Sequence, residues 1–573
     1  MKPVSLRADV DGMFRVFHGS QVYWEVLTLD QLRQAMSEAQ RELARLTDYI
    51  AAGNSSSDHR QRMTWLFTPD YRRPDNLQGI FRWLYLTRVT CCIIAAGKAS
   101  TVELGKGIPY WVTRYLTTQG IAARQPGAWR QRLKAALLLL QDGRDIVRFI
   151  VHSLRARAAS TPGFEHGPES NRPVVLVKRP TNGLEVRYGP MAERIERAGY
   201  RTVFQNFDQE DHVRQGADHW KIFPWMKFRD LINACLDARH CRSRLRQTRK
   251  TCPHELAGIE PAFSPSFYGL ARRALQYRLW RRSLEQLGPP HAAISVSSLN
   301  KPFDRLHIQA LNTSSVPVCI VLPRPLSRLR PAEELVKADI ENGDTLPAHF
   351  IVRDRTAPET LRACGIAPSR IGTAVPRPAQ STSPPASAAT DCSKVLILLS
   401  AREGENLQLI ELVAEAVNGQ LLSVPLEVCI KGHPSFGLKA SERELAQRSF
   451  SASWHDVSTK DIEVLVHGRT LAVTSSSSAL IEATLFGAAA IWAAWFSELA
   501  PQLEFMAQVC QVAESREEFT TRFGSLVAER SELERLAAEC QSAARTQFGI
   551  DTTISEAAIT WLHGLESAHQ AQV

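Results

Sequence analysis

Two clusters of polar residues, about forty positions apart, carry the chemistry-bearing residue types of this chain. Lys431-Gly432-His433-Pro434 sets an ammonium and an imidazole directly after the apolar stretch Leu426 to Ile430. Thr474-Ser475-Ser476-Ser477-Ser478 gathers hydroxyls directly after Leu471-Ala472-Val473, and opens into an amphipathic stretch, Ala479 to Phe486, with Gly487 where a helix C-cap belongs. A cation, an imidazole and a hydroxyl-rich helix start together suit an oxyanion. Their donors and positive field would also stabilise a departing phosphate as charge develops on it. Each piece alone has a plainer reading, since His-Pro is common in turns and serine before a helix often caps it.

These clusters need strand ends to hold them, and the surrounding pattern supplies strands. From Lys394 onward, short apolar runs alternate with helical stretches: strand Lys394 to Leu399, loop Ser400 to Asn406, helix Leu407 to Asn418, strand Leu426 to Ile430, helix near Thr459 to Val466, strand Leu471 to Val473, helix Ser478 to Phe486 and strand Ala488 to Trp492. A similar alternation begins at Pro173-Val174-Val175-Leu176-Val177 and runs to Gly365-Ile366. Between the two lies a Pro/Ser/Ala stretch that cannot bury a core. The expected fold class is therefore α/β, two doubly wound Rossmann-like domains preceded by a mainly helical region. The expected boundaries are 1–165 for that helical, basic accessory region, 166–375 for the first α/β domain, 376–393 for the linker and 394–573 for the second.

Apolar content of 44% and charged content of 22% fit a soluble globular protein, and no run approaches the roughly 18 to 20 apolar residues of a membrane span. The amino terminus, MKPVSLRADVDGMF, has no apolar signal core, and eleven scattered cysteines read as reduced thiols, so a cytoplasmic location is expected. The net charge of +10 is unevenly spread. Lys394 to the end carries 13 Lys plus Arg against 23 Asp plus Glu, a net of −10, which leaves +20 on the first 393 residues. A basic half predicts an anionic partner, and the basic amphipathic stretch Trp129 to Ala159 suits either the solvated face of a packed helix pair or peripheral contact with the inner face of a membrane.

Lys431 to Pro434, followed by Asp461 to Leu465 and by Thr474 to Gly487, resembles the carboxy-terminal half of GT-B-fold transferases that build bacterial surface polysaccharides. The His-Pro and Ser-Ser wording is similar to that of bacterial sialyltransferases and polysialyltransferases, capsule Kdo transferases and CDP-glycerol glycerophosphotransferases. The resemblance implies that Lys431, His433, Pro434, Ser476, Ser477 and Ser478 hold the phosphate of a nucleotide-sugar donor. It assigns Glu482 to the ribose, and the loop Trp454 to Ser458, with Asp456 at its centre, to the base. The acceptor would be a capsule, lipopolysaccharide or other anionic or lipid-linked glycan, and no metal or other cofactor is implied. A polyol phosphotransferase, a sugar-nucleotide epimerase and a non-catalytic assembly scaffold remain open on the same fold.

An inverting transfer needs a base near the acceptor hydroxyl. The sialyltransferase pattern places it in an acidic pair before glycine, which is missing between 172 and 375; Glu341-Asn342-Gly343 is the nearest approach. Asp208, Glu210 and Asp211, after the second predicted strand, occupy a suitable loop and join His433 as the catalytic candidates. His240, Cys241, Cys252 and His254 have a poor spacing for zinc, and the Arg-rich stretches 239–250 and 272–282 lack the interleaved aromatics of a nucleic-acid module, so neither ligand is expected.

Overall fold

The computed structural model describes residues 4–8, 14–52, 80–97, 100–125, 128–159, 172–178, 185–205, 219–220, 222–259, 263, 265–296, 302–322, 345–374, 393–419, 426–434, 436–466, 469–497, 500–548 and 551–570. The amino-terminal region holds the long helices α1 (Leu29–Ala52), α2 (Ile80–Ala95), α3 (Tyr110–Thr118) and α4 (Ala128–Ala159). It also holds a five-stranded sheet, β1 (Val4–Ala8), β2 (Phe14–His18), β3 (Gln21–Val22), β4 (Thr101–Leu104) and β5 (Ala122–Arg124), in the order β3-β2-β1-β4-β5. That sheet was not expected. Its strands are two to five residues long, at or below the length at which alternation is legible.

Among the described residues the first α/β unit has seven parallel strands: β6 (Val174–Lys178), β7 (Arg201–Gln205), β8 (His219–Trp220), β9 (Ala292–Val296), β10 (Val318–Val321), β11 (His349–Val352) and β12 (Ile371–Thr373). Their order is β12-β11-β10-β9-β6-β7-β8. Helices α5 (Glu185–Arg197), α6 (Phe228–Thr251), α7 (Phe267–Leu287) and α8 (Pro302–Thr313) cover it. The second unit has six parallel strands, β13 (Ser393–Leu398), β14 (Leu426–Lys431), β15 (Trp454–Asp456), β16 (Thr470–Thr474), β17 (Ala489–Ala493) and β18 (Gln511–Ala513), in the order β15-β14-β13-β16-β17-β18. Every residue of β13, β16 and β17 is buried, as unalternating apolar runs covered on both faces should be.

In both sheets the chain steps outward from a central strand and then returns to that strand's other side. This is the doubly wound pattern, and its reversal falls between β6 and β9 in one sheet and between β13 and β16 in the other. In doubly wound sheets the loops diverge at such a reversal, and ligands bind at the carboxyl ends of the strands there.

Around the second sheet lie α9 (Glu403–Asn418), α10 (Ala440–Ser449), α11 (Ala479–Leu485) and α12 (Arg530–Gln547). The last helix, α13 (Asp551–Gln570), crosses to the first unit. Its Ile554, Ala558 and Leu562, spaced one helical turn apart, are buried against Val175, Ile294 and Ile351. At the junction Asp354 bridges to Phe548 and the next residue's N–H, that of Arg355, donates to Gln547 O (3.0 Å), just past the carboxyl end of β11. The carboxyl edge of the first sheet therefore meets the second unit there, and the unit expected at 394–573 gives up its final helix to its neighbour. The predicted 376–393 linker lies outside the described residues but for Ser393, which begins β13.

Candidate functional site

The three strand exits that bear the candidate residues are adjacent in the order β14, β13, β16. The middle one is the most tightly organised. Helix α9 begins at Glu403, four residues earlier than the periodicity predicts, because Glu403 and Glu405 favour a helix amino terminus. Asn406 closes the turn before it: its Oδ1 accepts from Ser400 N (2.9 Å), while its Nδ2 donates to Ser400 O (2.9 Å) and to Glu442 Oε1 (2.7 Å). Lys439 Nζ lies 3.0 Å from Glu403 Oε2, which ties the start of α10 to the start of α9.

From β16, Thr474 Oγ1 donates to Leu398 O (2.7 Å) and accepts from Ser477 N (3.0 Å), fixing the hydroxyl run against β13. Ser476 Oγ donates to Glu405 Oε2 (2.7 Å), and Ser497 Oγ reaches the same oxygen at 3.1 Å. Arg402 Nη1 is 3.7 Å from the other carboxylate oxygen. Glu405 is only 1% exposed, so its charge is held by these donors rather than by water. A hydroxyl has one proton, and that of Ser476 is committed to Glu405. The half-buried Ser477 and Ser478 hydroxyls make no hydrogen bond among the described residues, and they are the donors of the run left for a ligand. Ser475 Oγ is buried with no hydrogen-bond partner among the described residues, while its carbonyl accepts from Trp492 Nε1 (2.8 Å). Glu482 is half-buried, one turn into α11.

The β14 exit differs from expectation in one respect. Lys431 Nζ donates to Ser458 O (3.2 Å) and to Lys460 O, toward the β15 side and away from the hydroxyl run. Asp456 is likewise engaged: Oδ1 accepts from Ser458 N (3.0 Å) and Ser458 Oγ (2.6 Å), and Oδ2 pairs with Arg443 (2.7 Å). Ser458 Oγ in turn accepts from Gly432 N (3.0 Å). Lys431 and Asp456 thus brace the loop on which His433 stands. His433 O accepts from Phe436 N (3.0 Å) and Gly437 N (2.8 Å), and its half-exposed ring sits 5.3 Å from that of Phe436; Pro434 is exposed. The turn is so tight that a Cβ on Gly432 would lie 2.2 Å from the Gly437 carbonyl carbon. Because β13 separates β14 from β16, His433 and Ser477 flank the β13 exit about 9 to 10 Å apart in strand spacing rather than touching one atom.

Asp208, Glu210 and Asp211 lie outside the described residues, as does Glu341-Asn342-Gly343. His240 and Cys241 sit within α6 while Cys252 follows its end, eleven residues on, about 16 Å along a helix. Ser497 escaped the reading of the sequence, as did the role of Glu405, whose place in the loop after the first strand of the second unit fits a structural turn equally well. The acidic 402–406 loop was visible as a strand exit, but nothing local pairs it with a serine 71 residues away.

No protein-family model matches the chain, and no curated protein matches it. Among solved structures, the chain resembles MurG of Acinetobacter baumannii at 10% identity and a TM-score of 0.41, over 68% of this chain and 99% of that one. A UDP-GlcNAc 2-epimerase of Neisseria meningitidis bound to UDP-GlcNAc resembles it at 9% identity and a TM-score of 0.40, over 68% and 99%. The calicheamicin glycosyltransferase CalG4 does so at 13% identity and a TM-score of 0.40, over 69% and 98%.

Proposed function

We propose that the protein is a glycosyltransferase that moves a sugar from a nucleotide-sugar donor to an anionic surface-glycan or lipid-linked acceptor, without a metal. The observation that carries this reading is the β13/β16 reversal, where two serine hydroxyls that make no hydrogen bond among the described residues stand at one strand exit and an imidazole at the exit beyond β13. Doubly wound sheets take their ligands at such reversals. In this reading Ser477 and Ser478 bond the donor phosphate from the β16 side and His433 bonds it from the β14 side. Ser476, held by Glu405, keeps the run in register, and Lys431 and Asp456 hold the His433 loop. Glu482 takes the ribose. The departing nucleotide carries the charge that these donors stabilise. A carboxylate among Asp208, Glu210 and Asp211, which follow β7 in the sequence, takes the acceptor proton.

Incubating the purified protein with CMP-, CDP-, UDP- and GDP-linked sugars and measuring nucleotide release tests the reading. Release should depend on added acceptor and fall by orders of magnitude in His433→Ala. Undiminished release in that variant would remove His433 from the site, and turnover without acceptor would replace transfer by epimerisation.

A further inference from the structure

One face of α6 is exposed in a way a packed helix does not require. Phe228, Ile232 and Leu236 are 67%, 49% and 58% exposed, and they recur every fourth residue. At 3.6 residues per turn, the exposed Arg239, Arg246 and Lys250 continue the same stripe, all six within an arc of about 80°. The stripe is therefore apolar along its first turns and cationic along its last.

Acids are kept off it. The two carboxylates of α6 turn the other way, Asp230 to Arg282 and Asp237 to Arg278 (2.6 Å) on α7. Arg239, Arg246 and Lys250 carry no ion pair among the described residues. The neighbouring helix repeats the arrangement. α4 packs on α7 and touches α6, and it exposes Val147, Val151 and Leu154 beside the exposed Arg144 and Arg155. A cavity of about 640 Å³ opens beside Leu236 between α6 and α7, where Arg278, Arg281 and Arg282 are matched by Asp230, Asp237 and Glu285, so the uncompensated cations lie on the stripe itself.

We propose that this face of α6, with the exposed stripe of α4 beside it, is the surface by which the protein docks on an anionic lipid bilayer. Phe228, Ile232 and Leu236 enter the boundary between headgroups and acyl chains, and Arg239, Arg246 and Lys250 lie on lipid phosphates. Charge selects the occupant: a stripe with cations and no acid matches a surface of anionic headgroups, to which apolar insertion and basic side chains contribute together. The surface gives a location to the membrane-proximal acceptor of the proposed function and rests on that reading only there, because vesicle binding and nucleotide release are measured separately.

Full-length protein is sedimented with vesicles of phosphatidylcholine alone and of phosphatidylcholine with about one third phosphatidylglycerol. The expected result is binding to the second and not the first, weakened by salt. Replacing Phe228, Ile232 and Leu236 together by serine should lower binding at least tenfold with an unchanged circular-dichroism melt, and so should R239E with R246E. Equal binding by the triple serine variant, or no binding of the unaltered protein to anionic vesicles, would overturn the proposal. So would a dimer in sedimentation velocity that the triple variant dissolves, because the face would then cover a second copy of the chain.

Discussion

The buried carboxylate of Glu405 is the sharpest point at which the site can be perturbed without touching a ligand. It is 1% exposed, accepts from Ser476 (2.7 Å) and Ser497 (3.1 Å), and has Arg402 at 3.7 Å. Glu405→Ala removes the carboxylate that accepts from two buried hydroxyls and that lies beside an 11%-exposed guanidinium. Removing one member of such a cluster typically costs about 3 to 5 kcal/mol. Glu405→Gln keeps the shape and one accepting oxygen. It loses the charge, and with it roughly half the strength of each bond, so about 1 to 2 kcal/mol is expected. The assay is urea unfolding followed by circular dichroism, comparing midpoints at constant slope for the transition of the second unit. A cycle with Ser476→Ala should return a coupling of about 1 to 2 kcal/mol, since the two side chains share one hydrogen bond. Equal stability of the Gln and Ala variants, or a coupling near zero, would refute the account of Glu405 as the anchor of the serine run.

Gly432→Ala should open the turn below His433, because the new Cβ meets the Gly437 backbone at 2.2 Å and cannot move aside. Loss of the two bonds to His433 O predicts about 1 to 3 kcal/mol of destabilisation in the same urea assay and a matching fall in nucleotide binding; an unchanged protein would show that the turn is not rigid. Burial pushes the Cys429 thiol up to about 12 and the Cys540 thiol up to about 11, so neither should react with a disulfide reagent at pH 8 until the protein unfolds; rapid labelling of the native protein would contradict their placement. For Asp230, burial alone would raise the carboxyl. The Arg282 guanidinium and the Lys227 N–H outweigh it and hold the group below the ordinary carboxylate range. A depressed carboxyl contributes stability above its unfolded value of about 3.9 and loses it as pH falls through the folded value. The urea-midpoint gap between the unaltered protein and Asp230→Asn should therefore be constant near neutrality and begin to narrow as pH falls below about 4, and a gap that widens with acidification would count against the ion pair.

Much of the positioning scaffold is legible locally. Val395 to Leu399, Val428 to Ile430 and Leu471 to Val473 are apolar runs without alternation, and such runs read as strands buried on both faces wherever they occur. The five polar residues after Val473 and the Lys-Gly-His-Pro after Ile430 are then strand exits by adjacency alone. The acidic start of α9 was also visible, although periodicity placed the helix four residues late because Glu403 and Glu405 enter it through charge rather than hydrophobic spacing.

By itself, then, the sequence determined that two stretches of α/β alternation follow the amino-terminal region and that hydroxyls and an imidazole stand at strand ends, while the short strands β1 to β5 were not legible in it. Only the tertiary structure decided that β13 lies between β14 and β16, that Ser476 spends its proton on Glu405, that Lys431 turns to the carbonyls of Ser458 and Lys460, and that α13 leaves its own unit. The reason is physical. Periodicity and turn chemistry act over a few residues, whereas strand order and the pairing of a buried charge are settled by contacts between distant segments that no local pattern encodes.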